Sequence, residues 1–399
     1  MTRAEVTERD AWLALVSVEG IGEGLLGRFI RRFGSGRETL EVAAGADGSR
    51  ALQRLLDAAP SYLSLMTAAR VRAAALDPDA VMRRLTDLGG WALTPLDPDY
   101  PARLRELDPP PVAVYGIGPL DVVTEPRSVA VVGTRHPTPP GRALAAAVAR
   151  RLVEVDAVVT SGLAVGIDGA AHAATLDAGG RTLAVIGGGF DHPGPRAHDR
   201  LRQAIVERGG SILSEHAPPV APTRGTFPRR NRIISVLTLG TIVVEAPVRS
   251  GALITARHAL EQGRRLLVAP GRPGDAASAG CLRLLRESPA RPLVGLDELV
   301  VDLGLDAEPL PGNHPDASVR LSYVTALGML GPVERDVARV LHDGPTTIDA
   351  IIARTGHPAP VVAGTLTLLQ LRGWSQPVEA MQLPCGPLLA APPRRAPRS

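Results

Sequence analysis

Apolar positions recur at helical spacing through the first 90 residues, where Leu13 and Val16, then Leu52, Leu55 and Leu56, then Val81 and Leu85 each fall on one face. This predicts a helical N-terminal domain over residues 1–90. Within it VEGIGEGLLGRFIRRFGS, residues 18–35, reads as a helix-hairpin-helix (SAM-like) unit, whose glycines let a turn present backbone N–H groups to a phosphate. Glu19 and Glu23 flank that turn and repel an anion, so phosphate contact and a purely structural role both stay open. Seven prolines between Thr94 and Asp121 then predict a turn-rich connector that no long helix can cross.

From residue 128 to about 297 the period changes, and short β-branched runs alternate with helix-like stretches. The runs are VAVVG (129–133), AVVTSG (157–162), TLAVIGGG (182–189), SILSE (211–215), TIVVEA (241–246) and RLLVAP (265–270). Several are apolar on both faces, as in strands covered by helices on two sides. The expected fold class is therefore α/β, with a doubly wound parallel sheet in a domain spanning residues 91–302. A Pro/Gly-containing linker, 303–327, leads to three helix-like segments and a strand-like end over 328–383, a winged-helix-like module. Thr346 or Thr347 is placed to cap its second helix. Its third helix, about 358–372, carries a cation only at Arg372, which favours protein contact or packing over reading a groove. The Pro/Arg-rich stretch 384–399 is expected to be disordered.

Composition removes several chemistries. All 44 basic residues are arginine, which excludes a Schiff-base lysine and a P-loop lysine. Cys281 and Cys385 are the only cysteines, so a disulfide framework is excluded and a reducing cytosol is expected. The charged N-terminus and the lack of a long apolar run predict a cytoplasmic protein with no membrane partner. The nine histidines show no metal-ligand spacing, and neither a metal nor a cofactor is expected. Net charge is uneven: −3 over residues 1–127, +8 over 128–290 and −2 over 291–399. A basic middle segment points to phosphate, although scattered surface arginines would give the same balance.

The loops after the strands carry the candidate chemistry. GTRHPTPPG (133–141) offers Gly133 for a tight turn, the Thr134 hydroxyl, and Arg135 as a bidentate phosphate ligand. SGLAVGIDGAAH (161–172) offers Ser161, Gly162 and Gly166 as an anion nest, with Asp168 placed as an N-cap. Either loop alone is better explained by turn geometry than by anion binding. FPRRNRII (227–234) is more specific, because Arg229, Arg230, Asn231 and Arg232 crowd into four positions with no acid between Glu215 and Glu245. Unpaired burial would cost several kcal/mol each, so these arginines are expected to be solvated or bound to an anion. RSGALITARHA (249–259) adds Ser250 and Gly251, and PGRPGDAASAG (270–280) closes a fifth loop. Several such cradles suit a backbone of many phosphates. With only Phe190 and Phe227 as aromatics between residues 128 and 290, affinity should come from phosphates rather than base stacking.

VAVVGTR, SGLAVGID, FPRRNRIIS, VVEAPVRSGALITARHA and VAPGRPGDAASAG, taken in order, resemble the DprA/Smf DNA-processing family over residues 97–290. The resemblance implies an extended Rossmann-like domain that binds single-stranded DNA, a homodimer, and interaction with the RecA recombinase during natural transformation. It places Arg135, Ser161, Gly162 and Arg230–Asn231–Arg232 on the family's phosphate-contact positions. Two departures stand out: Val165 replaces a basic residue, and FDHPGPRAH lacks the usual Tyr-Pro. Arg196 or Arg200 is near enough in sequence to compensate.

Catalysis is not expected. Asp168 and His172 lie one helical turn apart, a spacing that more often marks a surface or capping contact than an acid–base pair. The rival enzyme reading is a phosphoribohydrolase of the lysine-decarboxylase-like type, which shares the sheet layout. Those enzymes place a glutamate after a PGGxGT loop, whereas PGRPGD here meets no glutamate until Glu287. A scaffold paralogue with weakened DNA binding is favoured by Val165 and disfavoured by the intact arginine cluster.

Overall fold

A computed structural model describes residues 6–57, 65–192, 194–306, 327, 330–372, 374–378, 380–385 and 388. The chain divides into two compact units, one of Met1–Ala80, Leu93–Tyr100 and Pro311–Ser399, the other of Val81–Ala92 and Pro101–Leu310.

In the first unit the N-terminal apolar periodicity becomes α1 (Glu8–Val16), α2 (Glu23–Phe33), α3 (Gly36–Ala44), α4 (Gly48–Asp57) and α5 (Leu65–Leu76). Trp12, Leu26, Phe29 and Ile30 form its core. Glu8 binds three groups at once: its carboxylate accepts from Trp12 Nε1 and from the amides of Gly36 and Arg37 at the start of α3, where a negative charge meets the helix dipole. In the predicted hairpin turn, Gly20 takes φ 94° and Glu19 pairs with Arg70 at 2.8 Å.

The second unit follows α6 (Ala80–Asp87) with a nine-stranded sheet. Its strands are β1 (Gly90–Leu93), β2 (Val114–Ile117), β3 (Ser128–Val132), β4 (Val158–Ser161), β5 (Thr182–Ile186), β6 (Ser211–Ser214), β7 (Gly240–Val243), β8 (Arg265–Val268) and β9 (Arg291–Pro292). Their order is β1-β2-β6-β5-β4-β3-β7-β8-β9, parallel from β6 to β9, with β2 antiparallel to β6. All six β-branched runs became strands. The Pro-rich connector, read as turns alone, also holds β2, whose Tyr115, Gly116 and Ile117 pair with Ser214, Leu213 and Ile212.

Helices α7 (Leu120–Thr124), α8 (Pro139–Glu154), α9 (Ile167–Asp177), α10 (Asp199–Glu207), α11 (Thr226–Val236), α12 (Ala252–Glu261), α13 (Ala279–Glu287) and α14 (Leu296–Leu303) connect the strands. Val129, Val131, Val159, Ile242 and Leu267 pack on α8, α9 and α14 in one core layer. The alternate positions Ala130, Val132 and Val243 are equally buried, which is why the strands read as continuous apolar runs. Leu303 and Leu305 belong to the same core, so chain order runs past residue 302; residues 307–326 of the expected linker lie outside the described residues.

The C-terminal module, again in the first unit, comprises α15 (Pro332–His342), β10 (Thr346–Thr347), α16 (Ile348–Thr355), α17 (Ala359–Leu371), β11 (Ser375–Val378) and β12 (Met381–Pro384), with strand order β10-β12-β11. This is a winged helix. Thr347, not Thr346, caps α16 by accepting from the Ala350 amide. Arg372 pairs with Glu334 at 3.4 Å and lies over Trp374. Of the stretch expected to be disordered, Pro384 ends β12 and Leu388 is buried in the module's core, because these apolar side chains close it; 386, 387 and 389–399 lie outside the described residues. Among the described residues no helix is long and apolar enough to cross a membrane.

Candidate nucleic-acid interface

Strand order reverses between β3 and β7: the chain runs β3 to β6 on one side, then returns to place β7 to β9 on the other. In open α/β sheets such a reversal opens a crevice beyond the strands' carboxyl ends, and ligands bind there. A cavity of about 600 Å³ occupies this crevice, bordered by Thr134, Arg135, Arg224, Phe227, Arg249 and Ser250 among others. A second, of about 650 Å³, lies beyond β4 and β5 and is bordered by Val165, Gly187, His192 and Arg196. Arg135, Ala164, Phe227 and Arg230 border both, so the two form one trough along the sheet edge.

The predicted residues divide into those that face this trough and those that build it. Arg135 is exposed, lies 5.8 Å from the centroid of the Phe227 ring, and makes no ion pair among the described residues. Ser250 and Gly251 stand at the start of α12, where an added Cβ on Gly251 would meet nothing. Gly133 packs so tightly on Ile167 that a Cβ there would come within 2.5 Å of it, and Thr134 is buried with its amide on the Glu245 carbonyl. Gly166 takes φ 95° under the Thr134 carbonyl, a conformation and a closeness that require glycine.

Four expectations need correction. Ser161 is fully buried and its hydroxyl donates to the Val131 carbonyl at 2.6 Å, so that hydroxyl is spent on the neighbouring strand. Gly162 is enclosed too, its amide on Asp168 and its carbonyl on Arg230. Asp168 is not the N-cap of α9; Gly166 is, and the Asp168 carboxylate instead closes the turn before the helix. The arginine cluster is neither wholly solvated nor without carboxylates. Glu215, at the very edge of the acid-free window, pairs with both Arg229 and Arg232, and Arg232 also donates to the Pro109 carbonyl.

Arg230 is only 7% exposed and donates to the carbonyls of Gly162 and Val185 and to Asn231 Oδ1. Burial lowers its pKa to about 10, against the pull of Asp168, so it stays charged at neutral pH. Asn231 Nδ2 in turn donates to the Gly251 carbonyl. Arg230 and Asn231 thus tie α11 to the tips of β4, β5 and α12, and form the trough's floor.

Sequence reasoning left Arg224 and Arg249 out of the candidate set. Both are exposed at the first cavity and neither has an ion pair among the described residues. Arg249 was legible as the residue opening the loop after β7. Arg224 sits in APTRGT before α11 and carries no motif signal.

His172 contradicts the surface reading of the Asp168–His172 spacing. It is fully buried, bonded through Nδ1 to the Thr182 hydroxyl, and its Nε2 has no partner among the described residues. Burial depresses its pKa to about 3, and burial also lowers that of His216. The unfolded chain therefore binds more protons between pH 3 and 6.5, and stability falls as pH drops through that window. Acidification from pH 7 to 5 is expected to remove about 2 kcal/mol through His172 alone. In denaturant titrations His172→Asn, which keeps the donor to Thr182, should flatten this dependence; an equally steep profile in the variant would refute the assignment.

The sequence model of the family described as DNA recombination-mediator protein A matches residues 91–304, and that of the DprA winged helix domain matches residues 326–379. Protein Smf of Synechocystis sp. is 32% identical over 392 residues, which cover 92% of this chain and 96% of that one. The X-ray structure of DNA processing protein A (DprA) from Streptococcus pneumoniae superposes with a TM-score of 0.51 at 34% identity, covering 66% of this chain and 95% of that one. DNA processing protein A from Helicobacter pylori, described for its unique single-stranded DNA binding mode, gives a TM-score of 0.50 at 29% identity over 55% of this chain and 97% of that one. Matched by the family's own pattern over more than half its length, from β1 through α14, this chain belongs to the DNA recombination-mediator protein A (DprA/Smf) family of DNA-processing proteins.

Proposed function

We propose that this protein binds single-stranded DNA along the trough, through phosphates and with little regard to base sequence. The observation that carries the reading is the convergence of Arg135, Arg224 and Arg249, three exposed guanidinium groups without carboxylate partners among the described residues, on one cavity at the reversal of strand order. The start of α12 at Ser250 and Gly251 adds helix N–H groups to the same cavity. Gly133, Thr134, Gly166, Arg230 and Asn231 hold these groups in place. In the cell the protein acts without bond chemistry, as a cytoplasmic homodimer that shields single strands and loads RecA onto them in natural transformation. Family membership supports that role, and the proposed division of labour gives residues 91–302 the strand and leaves 1–90 and 328–383 as flanking modules.

Fluorescence anisotropy with a labelled oligonucleotide at two salt concentrations tests the binding. Log affinity should fall with log salt at a slope of about −0.7 per phosphate contacted. Equal affinity at both concentrations would remove the reading.

Val165 gives a gain-of-function test, since it borders the second cavity beside Arg196. Val165→Arg is expected to tighten binding several-fold and steepen the slope by about 0.7. An unchanged slope would show that the strand does not reach this cavity.

A further inference from the structure

We infer that Glu245 is a positioning residue of the trough: it fixes both ends of the loop that carries Arg135 and acts on the DNA through that arginine. The inference rests on the single-stranded DNA reading above. Glu245 lies two residues beyond β7, and Thr134 two beyond its neighbour β3, just past the end of the parallel ladder between these strands. The Glu245 carbonyl accepts from the Thr134 amide at 2.7 Å. Its side chain, 6% exposed, folds back over the same loop: Oε1 accepts from the Thr138 amide at 2.9 Å and Oε2 from the Thr138 hydroxyl at 2.5 Å. Thr138 caps α8 by accepting from the Gly141 amide. Gly141 leaves room for the carboxylate, since a Cβ there would stand 2.2 Å from Oε2.

One residue thereby closes a loop with Arg135, His136 and Pro137 between its pinned ends. Arg135 lies over the Phe227 face and makes no ion pair among the described residues, so its aim depends on this backbone. Holding a binding group in its bound geometry before the ligand arrives removes an ordering cost from association. The carboxylate also fills the anion seat at the start of α8, where its charge suits the helix dipole.

An acid beside a polyanion would by charge alone oppose binding, and that sets the two explanations at opposite signs. Glu245→Ala is expected to weaken single-stranded DNA binding about tenfold, the loss of one well-placed charged contact. Glu245→Met, which fills the space without accepting a hydrogen bond, should show the same loss. Glu245→Gln can still accept from the Thr138 amide and donate to its hydroxyl, and should bind as the wild type or more tightly. Tighter binding by Ala and Met would overturn the inference, leaving Glu245 a repulsive charge. In an Arg135→Ala background Glu245→Ala should cost nothing more, whereas a further tenfold loss would show a general structural role.

Hydrogen exchange of the segment 133–141 in the full chain without DNA gives a separate readout. Exchange should quicken in Ala and Met but not in Gln, and equal exchange in all four proteins would refute the pinning. Failure of the wild type to bind DNA would sink the DNA reading, while the exchange result still decides the pinning.

Discussion

Replacing Arg135, Arg224 and Arg249 together by alanine is expected to lower affinity for single-stranded DNA on the order of a hundredfold or more, with the thermal midpoint unchanged. The three side chains are exposed, border one cavity and hold no carboxylate among the described residues. Their removal therefore costs the fold little beyond the Arg135–Phe227 contact. Each lost phosphate contact should flatten the salt slope by about 0.7, so the triple variant should lose about two units. That slope separates this proposal from general loss of positive charge, because an equal number of substitutions among cations remote from the trough, such as Arg283, Arg286 and Arg291, should leave it nearly unchanged. Anisotropy titrations across salt provide the check. A triple variant that keeps wild-type affinity and slope would place the strand elsewhere.

Arg230→Ala is expected to behave in the opposite way, with a loss of about 3–5 kcal/mol of stability, the range for leaving a buried charge uncompensated. The variant strands the Gly162 and Val185 carbonyls and leaves Asp168 buried beside no cation. Burial already pushes the Asp168 carboxyl above its usual range, held down chiefly by Arg230. Arg230→Lys keeps a charge but loses the Nε donor to Asn231 Oδ1, and should fall between the wild type and the alanine variant. Thermal unfolding should show the midpoint lowered by roughly 10 °C in the alanine variant. A midpoint within a degree or two of wild type, with DNA binding abolished, would return Arg230 to the set of direct phosphate ligands. Arg232, tied to Glu215 and the Pro109 carbonyl at the partly exposed rim, should cost less.

The contrast between these two variants marks where the sequence stops being informative. Strands β3 to β8 were legible because burial on both faces demands β-branched runs, and VAVVG or TIVVEA has few other uses. Strand β2 was not, because four residues of pairing inside a proline-rich stretch leave no period to read; its partner β6 supplies the order. The arginine cluster stands out in the sequence, but its hydrogen-bond partners do not. The segment around it holds no carboxylate, but Arg230 is satisfied by main-chain carbonyls from β5 and the tip of β4, which every sequence contains and none advertises. Glu215, which pairs with Arg229 and Arg232, likewise stands at the edge of the acid-free stretch and not within it. Arg135 stood out because it follows the end of β3 closely; Arg224 did not, because only the packing of α11 brings its loop to the crevice.

Every cation along the trough is a guanidinium, with no ammonium among them. Acyl transfer to side-chain amines, a common way of erasing positive charge on DNA-binding surfaces, has nothing to act on here. Amine-directed cross-linkers would be equally blind to the surface, so mapping a bound strand calls for photochemistry or arginine-selective dicarbonyls.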